Sequence, residues 1–460
     1  MTELAEITLT HWAYLIGVLA IVIAMVLRRG VVLIATVGVF IVGLLYTGAL
    51  IPAIQVVFNS FMTAGTGLFD IMLVIALMVG MLKSMETLGA DYLMVAPIKW
   101  VMKKPVIAFF VLGIVMYLAA LFFWPTPATA LVGVILIPVA VKAGLPAMAA
   151  AMSVNILGHG MALAGDMVLQ GAPNITANSA DVNINEILSS AAILSLTAGI
   201  VAIIVAFFMI RKEILAGSPS DETDEIIEAK PREKYTAGAY FMAIAVPVVY
   251  IILVRIMYLA EIRGGASTAL LGGTAALFIV ISSFLSHGDK ALERLADYLR
   301  DGLMFSVKIF AAVIPIAGFF FLGAPANAAA ILGEGAPGFL FDLGNTFAAS
   351  LPLSRVPVAF GIMITGVVTG LDGSGFSGLP LVGSLANALG TPLGLSVPVL
   401  AALGQVGAIF SGGGTITAWA FGLVATAGVA GVSPLELARK NFIPVMSGLL
   451  AATIVAILLM

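Results

Sequence analysis

Two aspartates and one histidine stand inside apolar stretches of the sequence, where ionisable side chains are rare. Asp166 and Asp372 each have a glycine neighbour, and His159 lies between Gly158 and Gly160. A charged side chain within a membrane costs about 2.5–3.5 kcal/mol on insertion scales, so it needs a partner or a purpose. The functional interpretation is that the two carboxylates coordinate Na⁺ or relay a proton. The alternative is that each carboxylate caps a half-helix or lies near the surface.

These residues belong to four interruptions of apolar segments, each rich in glycine, proline or small polar residues. The interruptions are 124–129 (WPTPAT), 155–174, 371–378 (LDGSGFSG) and 404–417. A broken helix in lipid leaves backbone N–H and C=O groups unpaired, at several kcal/mol each, unless a ligand satisfies them. Helix N-termini suit anions, and exposed carbonyls suit cations. The alternative is that the small residues serve helix packing and that the prolines and glycines only kink the helices.

The interruptions predict the residues of a solute site. The predicted substrate-binding residues are Thr126, Pro127, Thr129, Asn155, Gly171, Pro173, Asn174, Gly373, Ser374, Gly375, Ser377, Gln405, Ser411, Gly413 and Thr415. The predicted coupling-ion residues are Asp166, Asp372 and His159, with a structural, hydrogen-bonded role equally open for the histidine. No Arg or Lys lies in any interruption. Asp70 and Lys308, near the starts of two spans, are interpreted as snorkelling to the interface.

Composition indicates that membrane-spanning helices position these residues. Of 460 residues, 61% are hydrophobic and only 10% are charged, against about a quarter charged in soluble domains. The absence of cysteine and the three histidines exclude disulfides, thiolate metal sites and a histidine cage. No Walker loop, zinc-protease motif or nucleophile elbow is present, so we expect no enzyme. We expect no cofactor, no metal other than Na⁺ and no nucleic-acid partner, since no basic tract occurs.

Apolar runs and Lys/Arg placement predict the topology. Arg28 and Arg29 follow the first span, which places both termini outside the plasma (inner) membrane, with 211–236 as a cytoplasmic linker. The predicted first repeat, 1–210, has scaffold spans within 12–85, a hairpin at 105–142, a broken helix at 146–174 and a span at 187–210. The predicted second repeat, 237–460, has scaffold spans within 237–322, a hairpin at 356–390, a broken helix at 396–421 and a span at 441–460.

The fold class that follows is an all-α polytopic membrane protein with about 10–11 spans plus two hairpins. Residues 51–67 are predicted to lie at the outer surface before a span at 68–85, and 305–322 is predicted to be one span. The arms of 105–142 could also be two ordinary spans. A re-entrant hairpin is favoured, because a polar, proline-broken tip is tolerated only where it lines a cavity.

The two halves have the same order of elements and opposite orientation. Ala180-Asp181-Val182-Asn183 with Glu186 recurs as Ala430-Gly431-Val432-Ser433 with Glu436 at the start of each half's final segment. Inverted repeats with discontinuous helices at the midplane are the architecture of secondary transporters.

Four motifs resemble the ion transporter superfamily of secondary carriers. They are TPATA (126–130) through Ile137-Pro138, the segment 161–174 ending Gly-Ala-Pro-Asn, DGSGFSGLP (372–380), and Gly404-Gln405-Val406-Gly407 with Ser411. The resemblance is closest to the citrate–metal–proton symporters and the lactate and gluconate permeases. It implies a homodimer with a scaffold domain and a transport domain, elevator-type alternating access, and coupling to Na⁺ or H⁺.

The sequence therefore predicts a secondary active transporter, with symport of a small organic anion, a carboxylate, as the first interpretation. Backbone N–H groups and the side chains of the interruptions hold the anion, while Asp166, Asp372 and local carbonyls hold the coupling cation. Because no cationic side chain lies in an interruption, a Na⁺/H⁺ antiporter remains the alternative. A channel is the third class.

Overall fold

The structure, a computed structural model, describes residues 6–27, 29–216, 232–260, 262, 265–350 and 354–460. Arg28, most of the predicted linker (217–231) and the side chain of Asp372 lie outside that description. The helices of the first half are α1 (Leu9–Val26), α2 (Val32–Thr47), α3 (Leu50–Leu88), α4 (Ala90–Val95), α5 (Pro105–Phe123), α6 (Pro125–Ala128), α7 (Val134–Lys142), α8 (Ala147–Val154), α9 (Leu163–Gly165), α10 (Gly171–Ala180) and α11 (Ile184–Ala216).

The second half follows the same principle of long helices interrupted by short ones. Its helices are α12 (Ala237–Leu259), α13 (Gly265–His287), α14 (Ala291–Phe310), α15 (Val313–Phe321), α16 (Pro325–Leu332), α17 (Phe339–Ser350), α18 (Arg355–Thr369), α19 (Leu379–Gly390), α20 (Val397–Phe410), α21 (Phe421–Ala430) and α22 (Pro434–Leu459). The described residues contain no strand, so the predicted all-α polytopic class is confirmed.

Nine helical stretches among the described residues are long and apolar enough to cross a membrane, or ten if one bent pair counts as a span. The predicted span α2 and α18, the first arm of the predicted second hairpin, form shorter apolar helices. Both arms of the predicted first hairpin are included in the nine, because each is as long as an ordinary span. The orientation of the termini stays a prediction.

Both predicted hairpins reverse the chain at their interruptions. In the first, α5 ends at Phe123, Trp124 adopts a φ of 65°, and α6 begins at Pro125. The two feet lie together, since a Cβ on Gly144 would be 3.9 Å from Cγ of Pro105. In the second, α18 and a 3-10 turn end at Asp372, and α19 begins at Leu379.

The broken helices differ in detail from the prediction. Gly158-His159-Gly160 does not interrupt its helix: Asn155–Ala162 continues α8 as wider π-helical turns into α9. The interruption also predicted at Gly165-Asp166 is where the helix breaks: Asp166 has a φ of 38°, and α10 begins at Gly171. In the second half, Ser411–Thr415 is likewise π-helical, and the break begins at Gly414, with a φ of 114°. Glycines next to a buried side chain allow tight packing without a break, which local sequence could not distinguish.

The hairpins, broken helices and final spans of the two halves recur at a constant spacing in the chain. The interval between first residues is the same in four helix pairs, which begin at Pro105 and Arg355, Ala147 and Val397, Gly171 and Phe421, and Ile184 and Pro434. Equivalent residues also meet in space. Helix α11 packs on α22, and a Cβ on Gly448 would meet the carbonyl of Ala198. Ala198 and Gly448 are separated in the chain by that same interval. The halves are thus related by a pseudo-two-fold axis, while the predicted domain boundaries stay a prediction.

Two predictions about the scaffold helices are wrong. Residues 51–67 are not a separate surface segment, because α3 runs unbroken for 39 residues, about 58 Å. The predicted span 305–322 is also wrong: its start belongs to α14, and α15 begins after a kink at residues 311–312. The reason is shared packing, since α14 and α15 run antiparallel along α3. A Cβ on Gly80 would be 2.8 Å from the carbonyl oxygen of Tyr298, and one on Gly318 would be 2.8 Å from that of Ser60.

Two short helices between the scaffold and the second hairpin were not predicted. The chain turns by 105° between α15 and α16, and α17 then packs against α19. A partly buried contact joins α17 to the first helix, with Nε2 of His11 3.3 Å from Oδ2 of Asp342.

Candidate functional site

The tips of both hairpins and both broken helices meet at one cavity of about 260 Å³. Its wall consists of Trp124, Thr126, His159, Leu163, Lys308, Ala312, Gly373, Ser374, Phe376, Gly413, Phe421 and Gly422. These residues come from segments that are far apart in the chain. Such convergence of interrupted backbone on a shielded cavity is the geometry of transporter binding sites.

The two hairpin tips touch through aromatic side chains. The ring centroids of Trp124 and Phe376 are 5.2 Å apart, and Phe310 of α14 packs edge-on against Phe376 at 5.9 Å. Trp124 holds a positive φ that costs a non-glycine residue free energy and persists only when its surroundings impose it. Trp124 is the first residue of the interruption 124–129 but was not among the predicted site residues, although a large side chain directly before Pro-x-Pro is a detectable signal.

His159 of the first broken helix lines the cavity beside the first hairpin tip. Its Nε2 is 3.4 Å from Oγ1 of Thr126 on the first hairpin tip. Its ring packs on Gly422, where a Cβ would be 2.7 Å from Nε2 and closer still to Cδ2. The Nδ1 atom is buried and has no hydrogen-bond partner among the described residues. His159 therefore joins the first hairpin to the second broken helix and keeps one ring nitrogen available.

Crossed hydrogen bonds join the two broken helices. Nδ2 of Asn155 donates to the carbonyl of Gly414 at 2.6 Å, and Nε2 of Gln405 donates to the carbonyl of Ala164 at 2.8 Å. The two donors are separated in the chain by the same interval as the two acceptors, so the two bonds are one contact repeated about the pseudo-two-fold axis. Asn441 adds bonds from Nδ2 to Oδ1 of Asn155 at 2.8 Å and to the carbonyl of Thr415 at 2.9 Å.

Several polar atoms around the second broken helix are buried without a hydrogen-bond partner among the described residues. They are Oε1 of Gln405, Oγ of Ser411, Oγ1 of Thr417 and Oδ1 of Asn441. Buried polar atoms are normally paired, so unpaired ones indicate water, an ion or strain. All four are neutral oxygens, the ligand type that a monovalent cation accepts.

Asp166 does not line the cavity. Its Oδ2 accepts a hydrogen bond at 2.9 Å from the backbone N–H of Ala172, in the first turn of α10. The carboxylate is almost fully buried, with 4% exposed, and lies behind Trp124 near Gly171. This contact matches the alternative interpretation, a carboxylate that caps a half-helix. Its role in coupling stays a prediction.

Lys308 is the cationic side chain that sequence analysis did not place in the site. Its Nζ lies 5.4 Å from the centroid of Phe421 and its side chain lines the cavity. It forms no ion pair with a carboxylate among the described residues. Lys308 is exposed, and an aromatic contact to Phe421 lies beside its ammonium at the cavity, so the snorkelling interpretation stays a prediction.

The predicted residues divide into a wall and a layer behind it. Thr126, His159, Gly373, Ser374 and Gly413 line the cavity. The remaining predicted substrate residues do not line it, and they are Pro127, Thr129, Asn155, Gly171, Pro173, Asn174, Gly375, Ser377, Gln405, Ser411 and Thr415. Of these, Asn155 and Gln405 donate the hydrogen bonds that join the two broken helices behind the wall. The side chain of Asp372 lies outside the described residues.

Comparison with known proteins supports the membrane fold. No protein-family model matches the chain. The solved structure of Neisseria gonorrhoeae MtrF, described as illuminating a class of antimetabolite efflux pumps, superposes with a TM-score of 0.59 at 13% identity, over 98% of this chain and 95% of that one. This likeness shows a shared, transporter-like fold.

A closer relative exists in sequence. The uncharacterized membrane protein YhfA of Bacillus subtilis (strain 168) is 36% identical over 462 aligned residues, covering 98% of both chains. At that identity and coverage, the chain belongs to the same family of multi-pass membrane proteins as YhfA.

Proposed function

We propose that the chain is a secondary active transporter, not an enzyme, that carries a small organic anion in the cavity between the hairpin tips, coupled to Na⁺ or H⁺. One observation carries the proposal. Two hairpin tips and two broken helices, far apart in sequence, converge on one cavity that also receives Lys308. Interrupted backbone that meets at a bounded cavity is typical of carriers with a central binding site.

Two features of the wall suit an anion. Lys308 supplies a positive charge, and Phe421 and Gly422 are the first residues of α21, a helix of 10 residues. Unpaired N–H groups and the helix dipole make an N-terminus attractive to carboxylates. The Thr126 hydroxyl lies on the same wall, and the Ser374 hydroxyl, which accepts hydrogen bonds from the N–H groups of Phe376 and Ser377, shapes the second hairpin tip there.

A coupling cation has oxygen ligands behind the cavity. The unpaired oxygens of Ser411 and Thr417 belong to residues flanking the second break, whose carbonyls include those of Gly414 and Thr415, and the unpaired oxygens of Gln405 and Asn441 belong to side chains that hydrogen-bond next to the breaks. Carbonyls of unwound helices commonly coordinate Na⁺ in transporters. For a proton, His159 and the carboxylates of Asp166 and Asp372 are the carriers we propose.

The proposal includes membership of the ion transporter superfamily, a homodimer and elevator-type alternating access. The hairpins and broken helices form the transport domain, while α3, α14 and α15 belong to the scaffold. This division is supported by the common packing of α14 and α15 along α3. MtrF is described as one of a class of efflux pumps, so export is a direction to be measured alongside uptake.

Flux in proteoliposomes tests the proposal. Purified protein is reconstituted and the uptake of radiolabelled acetate, lactate, succinate and citrate is measured with a Na⁺ gradient, a pH gradient or neither. We expect saturable uptake of at least one carboxylate that one gradient accelerates, and loss of uptake in Thr126→Val together with Ser374→Ala. Lys290→Gln, an exposed lysine outside the cavity, is the matched control.

The result that contradicts the proposal is flux of no carboxylate in either direction. Na⁺-driven proton movement in the absence of any organic anion supports the antiporter instead. That second candidate is favoured by one observation, the buried carboxylate of Asp166. Currents far above carrier turnover would indicate a channel.

A further inference from the structure

Lys308 has an equivalent of opposite charge in the first half of the chain. Asp70 precedes Gly80 by the same ten positions by which Lys308 precedes Gly318. The two glycines make the same contact, since Gly80 faces the carbonyl of Tyr298 and Gly318 faces that of Ser60. The interval from Ser60 to Tyr298 equals the interval from Gly80 to Gly318 and from Asp70 to Lys308. The pseudo-symmetry therefore relates Asp70 to Lys308.

The two charges also lie at one level of the scaffold. Oγ of Ser306 donates to the carbonyl of Met72 at 2.7 Å, and the antiparallel register places residue 308 opposite residue 70. Their side chains point to different spaces. Lys308 lines the site cavity, whereas Asp70 lines a separate cavity of about 340 Å³ against α13. The lysine and the aspartate form no ion pair with each other in the described part of the chain.

Pseudo-symmetry implies an exchange of these roles during transport. In a carrier built from inverted repeats, the opposite-facing state arises when each repeat adopts the arrangement of the other, so that the transport domain passes from the scaffold residues of one repeat to those of the other. The structure shows the state in which the second repeat contributes residue 308 to the cavity. In the opposite state the first repeat contributes residue 70 at the equivalent place.

We propose that Lys308 and Asp70 give the anion site different affinities on its two faces, tighter where Lys308 lines the cavity and weaker where Asp70 does. This inference rests on the proposed carrier function. A carboxylate meets an ammonium in one state and a second carboxylate in the other. A contact to a charged group changes affinity by about tenfold or more, so we expect the two faces to differ at least about tenfold.

A difference in affinity between the two faces favours transport in one direction. A carrier that binds an anion tightly on one face captures it at low concentration there and releases it on the other face. The tight face is the one to which the cavity opens when Lys308 lines it, and the labelling experiment below identifies it.

The test is half-saturation measured separately from each face. The chain has no cysteine, so Ala312→Cys at the cavity mouth offers a single thiol. A membrane-impermeant maleimide added outside inactivates the molecules whose cavity face is external and leaves the other orientation active. Half-saturation is measured with lactate, succinate or citrate, whichever is transported, before and after this block.

Variants of Lys308 and Asp70 test whether these two charges cause the difference in affinity between the faces. We expect Lys308→Gln to raise the half-saturation concentration on the tight face about tenfold and leave the other face unchanged. Asp70→Asn lowers the half-saturation concentration on the weak face only. The double variant Lys308→Asp/Asp70→Lys exchanges the affinities of the two faces. Lys290→Gln changes neither face. Lys308→Met replaces Lys308→Gln if the latter fails to give a monodisperse protein.

Each outcome decides the question. Equal half-saturation on both faces of the unaltered transporter overturns the inference while leaving the proposed function intact. Lys308→Gln weakening both faces equally also overturns it, because the lysine would then serve the site in both states. Absence of transport for every carboxylate overturns the proposed function, and the inference with it.

Discussion

Gly422 offers a direct test of how the two broken helices meet. It lies in the first turn of α21 and its α-carbon faces the His159 ring. A Cβ there would be 2.7 Å from Nε2 of His159 and nearer still to Cδ2 and to the carbonyl oxygen of Gly413. The Gly413 oxygen belongs to the backbone of the π-helical segment Ser411–Thr415, which cannot move as a flexible side chain could.

The expected cost of Gly422→Ala follows from these contacts. Overpacking a closed site costs about 1–3 kcal/mol, against a gain of about 0.5–1 kcal/mol from replacing a helical glycine by alanine. Gly428 supplies the matched control, because it lies in the same helix with nothing within 4 Å of an added methyl group. Gly428→Ala is expected to be neutral or stabilising. The two variants should differ by about 2 kcal/mol.

Thermal unfolding of the purified protein, followed by tryptophan fluorescence, measures the difference. Gly422→Ala is expected to melt below the unaltered protein and Gly428→Ala at or above it. Uptake by Gly422→Ala should fall further than its stability predicts, because the added methyl displaces His159 from Thr126. Equal melting temperatures for the two alanine variants would refute the packing of α21 on His159.

Other substitutions test the surrounding hydrogen bonds and one titrating group. Asn155→Ala removes one hydrogen-bond partner of the Gly414 carbonyl and one of the Asn441 amide, so we expect the free energy of unfolding to fall by about 2 kcal/mol. The loss should not be additive with that of Asn441→Ala, and additive shifts in melting temperature would contradict the network. Asp166→Ala removes the acceptor for Ala172 and should cost about 1 kcal/mol, with Asp166→Asn costing less; equal losses argue against capping. Burial raises the pKa of Asp91 to about 6 in the folded protein. The folded state therefore binds this proton more tightly than the unfolded state, and the resulting stability is lost as pH rises from about 4 to 6. Asp91→Asn should therefore raise the melting temperature near pH 8 but not near pH 4, and a pH-independent effect contradicts this.

The positions of the helix breaks were largely predictable, because backbone chemistry is local. Two prolines within three residues cannot continue a helix, and the chain reverses at Trp124 as expected. The glycine-rich segment after Asp372 likewise ends its helix. The prediction failed at Gly158-His159-Gly160, where packing against the second broken helix keeps the backbone helical. Local propensity could not anticipate a partner in the other half of the chain.

The site was predicted as a set of segments more successfully than as a set of residues. Five of the predicted residues line the cavity, while others such as Asn155 and Gln405 hold the broken helices together behind it. Lys308 and Trp124 were missed as wall residues. The lysine belongs to a scaffold helix, so only its antiparallel register along α3 brings it to the hairpin tips.

The amino-acid sequence by itself determined the membrane class and the places where helices must break, because hydropathy and the backbone limits of proline and glycine act over a few residues. Tertiary structure alone decided which breaks meet, which polar groups pair and which charge faces the cavity. Those outcomes depend on packing between segments far apart in the chain, and on the pseudo-two-fold axis that joins the two halves.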